Sequence, residues 1–278
     1  MRIISKVSSM RRLSLDWKKS GATIGFVPTM GALHAGHAAL VKRAKRENDK
    51  VVVSIFVNPT QFSPGEDFAK YPRPFLNDRR LCQSLGVDAL FFPSPQEMYP
   101  QGFCTFVEVE NLSGKLCGHF RPGHFRGVAT VVLKLFEAAF PEAAYFGEKD
   151  YQQLVIIRSM TRDLNLPVKI VGCPTVREKD GLALSSRNQY LSTQERLVAP
   201  LFYKALLQAA RAVHQGKSPR KIIAECRRDL LKIPKVSIDY VSLVDADTLE
   251  DAAKRKGSLR LIAAIHLGKT RLIDNLPV

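Results

Sequence analysis

Long apolar runs, paired cysteines and the common glycine-rich nucleotide signatures are all missing from this chain of 278 residues. No uncharged apolar stretch approaches the roughly 18 residues of a membrane span, so no membrane is expected among the partners. The five cysteines (Cys82, Cys104, Cys117, Cys173 and Cys226) are odd in number, widely spaced and form no CxxC pair. That argues against a disulfide framework and suits a reducing, cytoplasmic setting. A zinc reading of Cys104, Cys117, His119 and His124 fails because their spacing fits no finger or ribbon. G-x-G-x-x-G is absent, which leaves a dinucleotide fold unsupported. There are no internal repeats and no flexible linker. Acidic residues are scarce beside basic ones, 26 against 42, for a net charge of +16.

That charge is spread evenly: residues 1–172 hold 23 basic and 15 acidic side chains, and the remainder 19 and 11. Few aromatics interleave the basic clusters and there is no basic tail, which disfavours nucleic acid as a partner. A diffuse positive field suits small polyanionic substrates, and equally a merely soluble surface. Hydrophobic residues at 45% and charged residues at 24% are those of an ordinary globular protein with a substantial core.

The basic N-terminus superficially resembles a transit peptide. The helical spacing of Ile3, Val7, Met10, Leu13 and Trp17 instead predicts the first strand and helix of the folded domain. Strand-like runs at 23–28, 51–57, 89–92, 143–146 and 168–171 alternate with helical stretches at 36–47, 75–85, 128–139 and 151–164. This alternation predicts an α/β domain with a parallel, two-sided sheet, whose ligands bind beyond the carboxyl ends of the strands. Helices at 193–214 and 219–231, then strands at 237–244, 259–264 and 270–274, predict a smaller α+β domain. The expected division is 1–172 and 173–278.

The loops after strands carry the chemistry. PTMGALHAGH (28–37) sets Gly31 and Gly36 five apart, as in a P-loop. His37, however, stands where that loop has Lys, and Ala38 where it has Ser or Thr, so the P-loop reading fails. What remains is a glycine-rich turn presenting Met30, His34 and His37 at a helix N-terminus, where backbone N–H groups and imidazoles can hold phosphate. A metal pair would want a third ligand nearby. NPTQF (58–62) follows the central strand: Asn58 and Gln61 can bind hydroxyls and carboxylates, or simply make a turn. GEKDYQQ (147–153) offers Gly147, Lys149, Asp150 and Gln153 at another helix start. Capping alone would explain Asp150 but leaves Lys149 idle. LSSR (184–187) places Leu184, Ser185, Ser186 and Arg187 where two hydroxyls and a guanidinium can meet phosphate, or form a plain serine-rich turn.

HAGH resembles the HxGH signature of the HIGH nucleotidyltransferase superfamily. PTMGALHAGH, SIFVNPTQF (54–62), RPGHFRGV (121–128), FGEKDYQQ (146–153), KDGLALSSRN (179–188) and LIDN (272–275), in that order, are similar to the pantoate–β-alanine ligases. The resemblance covers nearly the whole chain. It implies a Rossmann-like domain followed by the smaller one. It also implies ATP-dependent, AMP-forming condensation of pantoate with β-alanine to pantothenate through pantoyl adenylate, with Mg²⁺, in the cytoplasm and as a homodimer. Carried over residue by residue, it places ATP on Met30, Gly31, His34, Gly36, His37, Gly147, Lys149, Asp150, Val176, Leu184, Ser185, Ser186 and Arg187. Pantoate falls on Gln61 and Gln153, with Asn58 beside them and β-alanine near Gln61. The expected catalytic set is His37 and His34 at the α-phosphate and leaving group, Lys149 at the α-phosphate and bridging region, and Arg187 at the triphosphate tail, acting as cations or oriented dipoles. The metal ligands and the role of 119–127 stay open, and residues 62–74 are expected to act as a lid. HAGH and LSSR alone also permit a transferase that moves a nucleotidyl group onto a phosphate.

Overall fold

Short β-branched runs buried on both faces, separated by amphipathic helices, assemble into a six-stranded parallel sheet. The computed structural model describes residues 1–252 and 257–278. Strands β1 (Arg2–Ile4), β2 (Ile24–Thr29), β3 (Lys50–Ile55), β4 (Ala89–Phe91), β5 (Ala143–Gly147) and β6 (Lys169–Cys173) lie in the order β1-β4-β3-β2-β5-β6, every pair parallel. The connecting helices are α1 (Val7–Lys19), α2 (Ala35–Glu47), α3 (Phe75–Ser84), the short α4 (Pro95–Met98) and α5 (Cys117–Phe120), α6 (His124–Ala139) and α7 (Tyr151–Asp163). Side chains alternate along β2, so Phe26 packs with α1, α6 and α7 on one face while Val27 packs with α2 and α3 on the other. The chain runs outward from β2 through β3 to β4, then returns to place β5 on the opposite side of β2. The loops leaving β2 and β5 therefore diverge, opening the crevice where such sheets bind ligands.

The C-terminal region holds α8 (Thr193–Val198), α9 (Pro200–His214) and α10 (Pro219–Leu231) over an antiparallel sheet of β7 (Val236–Asp245), β8 (Leu259–Leu267) and β9 (Thr270–Pro277). One face of this sheet, through Leu261 and Ile265, closes a core with Leu206, Ile222 and Leu230 of α9 and α10. Its other face sends Tyr240, Val244, Ile262 and Ala264 into the core formed by α1, α6 and α7. One hydrophobic core thus runs through both sheets and locks the smaller unit onto the larger.

The expected strands and helices are present, with three differences. The single helix expected over 193–214 breaks at Ala199, because Pro200 lacks an N–H and starts a new helix at its first position. Helix α6 begins at His124 rather than 128, started by Gly123 at φ +78°. Three 3-10 turns, Pro59–Gln61, Glu148–Asp150 and Ser186–Tyr190, fall inside the segments singled out for chemistry. Among the described residues no helix is long and apolar enough to cross a membrane.

Candidate active site

The turn leaving β2 is held by a buried carboxylate. Asp78 of α3, 2% exposed, accepts from the backbone N–H groups of Ala32 (2.9 Å) and Leu33 (2.7 Å). Gly31 sits at φ +87°, where a Cβ would meet Ile55 and Asp78 at about 3 Å. Of the expected contacts Gly31 alone lines no cavity; its role is to form the turn. The turn delivers His34 as the N-cap of α2. His34 Nδ1 accepts from Gly36 N–H (3.1 Å) and His37 Nδ1 accepts from His34 N–H (3.3 Å), a reciprocal cap built from two imidazoles.

This arrangement settles their charge. Because each Nδ1 is an acceptor, each neutral ring carries its proton on Nε2. Burial, then Lys149, pulls His34 down to about 4; burial, then His34 itself, pulls His37 down to about 3. The rings lie 4.2 Å apart, too close for two charges out of water. The histidines are therefore neutral Nε2–H donors, dipoles rather than cations in the expected set.

Both rings border a cavity of about 230 Å³ with Met30, Gly36, Asn58, Gln61, Gly147, Lys149, Gln153, Val176 and Leu184–Arg187. It adjoins a larger cavity, about 750 Å³, between the two sheets; Arg121, His124, Lys149, Asp150, Gln153, Ser185 and Arg187 border both.

In the wall of the smaller cavity Gln61 is fixed from several sides. Its Oε1 accepts from Asn58 (3.1 Å), its Nε2 approaches Met30 Sδ (3.1 Å), and its carbonyl accepts from His124 Nδ1 (2.8 Å) and Arg121 (3.2 Å). Asn58, expected to touch substrate, has no free donor. Its Nδ2 serves Gln61 and the Gly127 carbonyl, while its Oδ1 accepts from Thr60 and Tyr99. It holds Gln61 while itself bordering the cavity. Gly127 is required here, since a Cβ would come within 2.3 Å of the Thr60 carbonyl. The 121–127 segment therefore braces Gln61. His124 is kept neutral, drawn down to about 4 by burial and by Arg121.

Helix α7 separates two adjacent amides. Buried Gln152 is consumed by the backbone of Leu112, Lys115 and Cys117. Gln153 points into the cavity. Lys149 lies 3.8 Å from Asp150, which occupies the N-cap position of α7 without making a capping bond, so capping does not account for it. Ser185 caps the 186–190 turn by accepting from Arg187 N–H (3.3 Å). Arg187 pairs through two nitrogens with Asp67 (3.0 Å each), and Arg121 pairs likewise with Glu66 (2.7 and 2.6 Å). Tyr71 reaches Ser186 (3.3 Å). Segment 62–74 is thus strapped across the cleft by two neighbouring carboxylates.

Sequence reasoning missed Asp78, Glu66, Asp67 and the bracing by Arg121 and His124. Only Asp78 carried a signal: a carboxylate on the stripe Phe75, Asp78, Cys82, Leu85, where an apolar residue belongs.

Comparison with known proteins agrees with this geometry. The family profile described as pantoate-beta-alanine ligase matches residues 2–277. The chain is 52% identical over 278 residues to a pantothenate synthetase of Sulfurihydrogenibium sp. (strain YO3AOP1), covering 99% of each. It superposes on the crystal structure of pantothenate synthetase from Thermus thermophilus with a TM-score of 0.94, at 50% identity and 99% coverage of both chains. A pantoate-beta-alanine ligase from Francisella tularensis, solved with beta-gamma ATP and beta-alanine, gives a TM-score of 0.82 at 36% identity, covering 100% of this chain and 97% of the other. The chain belongs to the pantoate–β-alanine ligase family.

Proposed function

We propose that this chain condenses (R)-pantoate with β-alanine to pantothenate, driven by conversion of ATP to AMP and pyrophosphate. The observation that carries the reading is one cleft with two chemistries. Neutral amides of Gln61 and Gln153 line it together with Lys149, the two imidazole donors and the Ser185–Arg187 turn. Amides beside Val128 and Val131 suit a hydroxy acid with an apolar body, and cations and oriented dipoles suit a triphosphate.

A pantoate carboxylate oxygen attacks the α-phosphorus, and the bond to pyrophosphate breaks, leaving pantoyl adenylate. His34 and His37 donate from Nε2 to phosphate oxygens, Lys149 neutralises charge at the α-phosphate and bridging oxygen, and Ser185, Ser186 and Arg187 hold the tail. The free amine of β-alanine then attacks the acyl carbon, loses a proton and expels AMP. No enzyme nucleophile is needed. Met30, Gly36, Gly147, Val176 and Leu184 supply the nucleotide's remaining walls. Asp150, beside Lys149 at 3.8 Å, and Asp67, on Arg187, are carboxylates that could meet Mg²⁺ arriving on the triphosphate.

The proposed division of labour gives 1–172 the catalytic sheet and 173–278 the cover and the LSSR turn. A cytoplasmic homodimer joined through the first region completes the reading. Exposed Ile3, Leu76 and Phe92 at the β1–β4 side support that interface. The deciding experiment is pantoate-dependent exchange of labelled pyrophosphate into ATP, with Mg²⁺ and without β-alanine. Exchange is expected. Its absence from folded protein that still binds ATP overturns reversible adenylation and returns the nucleotidyl-to-phosphate reading.

A further inference from the structure

Strand β9 runs along the wall of the larger cavity to the root of the phosphate site. Asn275 on β9 is 3% exposed, and its Nδ2 donates to two successive carbonyls of the loop leaving β5: Glu148 at 2.8 Å and Lys149 at 3.0 Å. The carboxamide is oriented from behind. Arg260 of β8 donates from Nε to Asn275 Oδ1 (2.7 Å) and from its second nitrogen to the Glu148 carboxylate (2.8 Å), with its guanidinium 3.9 Å over the Tyr151 ring. Consecutive strand residues face opposite ways. Asp274, on the other face, holds Arg177 through both oxygens (2.6 and 2.8 Å), and Arg177 bridges to Ala183 at the base of the Ser185–Arg187 turn. Neighbouring residues on one strand thus grip the roots of both phosphate-facing loops.

We propose that Asn275 is a positioning residue for Lys149, fixing the backbone from which the lysine reaches the reacting phosphate. The inference rests on the role given to Lys149 above. A carboxamide suits the position because its two hydrogens meet two carbonyls while its oxygen meets the Arg260 N–H. An apolar residue would leave two buried carbonyls and one guanidinium N–H unpaired. A lysine displaced by an ångström loses most of its benefit to the transition state, on the order of 10²-fold in rate.

The test is a double-mutant cycle on the full-length enzyme, followed by pantoate-dependent adenylation in single turnover with Mg²⁺-ATP. Asn275→Ala is expected to lower the adenylation rate by about 10²-fold with little change in the pantoate KM. In a Lys149→Ala background the same change is expected to cost no more than about twofold, because the group it positions is gone. Equal factors in both backgrounds, or an unchanged rate in the first, overturn the proposal; a purely structural role gives equal factors. If Asn275→Ala fails to fold, Arg260→Lys keeps the charge but frees the carboxamide, and is expected to show a smaller loss that also vanishes in the Lys149→Ala background. A Lys149→Ala enzyme with near-normal rate would instead refute the role of Lys149 itself.

Discussion

The turn at 29–37 and the segment at 62–74 border the same cleft but hold their polar groups in opposite ways. In the turn, the imidazoles are neutral and are held by backbone: their nitrogens accept N–H groups, and Asp78 accepts two more from behind. In the segment, two carboxylates occupy two guanidiniums, Glu66 on Arg121 and Asp67 on Arg187. A phosphate can add to the first wall without displacing anything, since both Nε2–H donors remain free to point at it. At the second wall an incoming anion must exchange with a carboxylate of matching fork geometry. The first wall keeps its donors free and fixed; at the second the guanidiniums are already engaged by carboxylates of segment 62–74.

The largest expected effects test the first wall. Lys149→Ala and His37→Ala should each lower adenylation by about 10²- to 10³-fold, the usual loss of one preorganised donor, with the urea midpoint little changed. His37→Gln separates the two readings of the ring. A neutral donor that can also accept from His34 N–H should recover part of the loss, whereas a cationic role predicts that Gln behaves as Ala.

Acid stability comes next. His34, His37 and His124 titrate at about 4, 3 and 4 in the folded protein and near 6.5 when unfolded. Below pH 6.5 the unfolded chain therefore binds protons that the folded one refuses. The stabilisation is complete above pH 6.5 and is lost progressively as pH falls toward 4 and below. The urea midpoint should drop between pH 7 and 5, and a flat midpoint would mean that these rings are not held neutral.

Much of this was legible in the sequence, for reasons that differ by element. β-Branched runs alternating with helical stripes specify a parallel sheet, and the position of PTMGALHAGH after a strand places it at the crevice. Lys149 stood out because a lysine at a helix start is left idle by capping alone, and Gln153 entered through the resemblance; both border the cavity. Asn58 was ambiguous because an amide beside a turn looks the same whether it binds a ligand or a neighbouring side chain. Its structural bonds include two to local neighbours, Thr60 and Gln61, and two to distant partners, Tyr99 and Gly127, that no local pattern reveals. The neutrality of the histidines was hidden for a similar reason, since charge follows burial and the Nδ1 partner rather than residue type. The straps from Glu66 and Asp67 join positions 55 and 120 residues apart, a distance no local pattern spans.

The smallest expected effect addresses the second wall. If Asp67 competes with phosphate for Arg187, Asp67→Asn should tighten ATP binding by a few-fold, about 1 kcal/mol, the scale of a partly exposed ion pair. That gain should appear in calorimetry without pantoate and shrink at high salt, because the competing pair is itself screened. Adenylation should not rise with it, since Arg187 binds the tail in ground and transition states alike, and uniform binding lowers KM without raising kcat. Weaker ATP binding by the variant would show that Asp67 instead preorganises Arg187 for the triphosphate. Segment 62–74 would then be a fixed part of the site, and the contrast between the two walls would disappear.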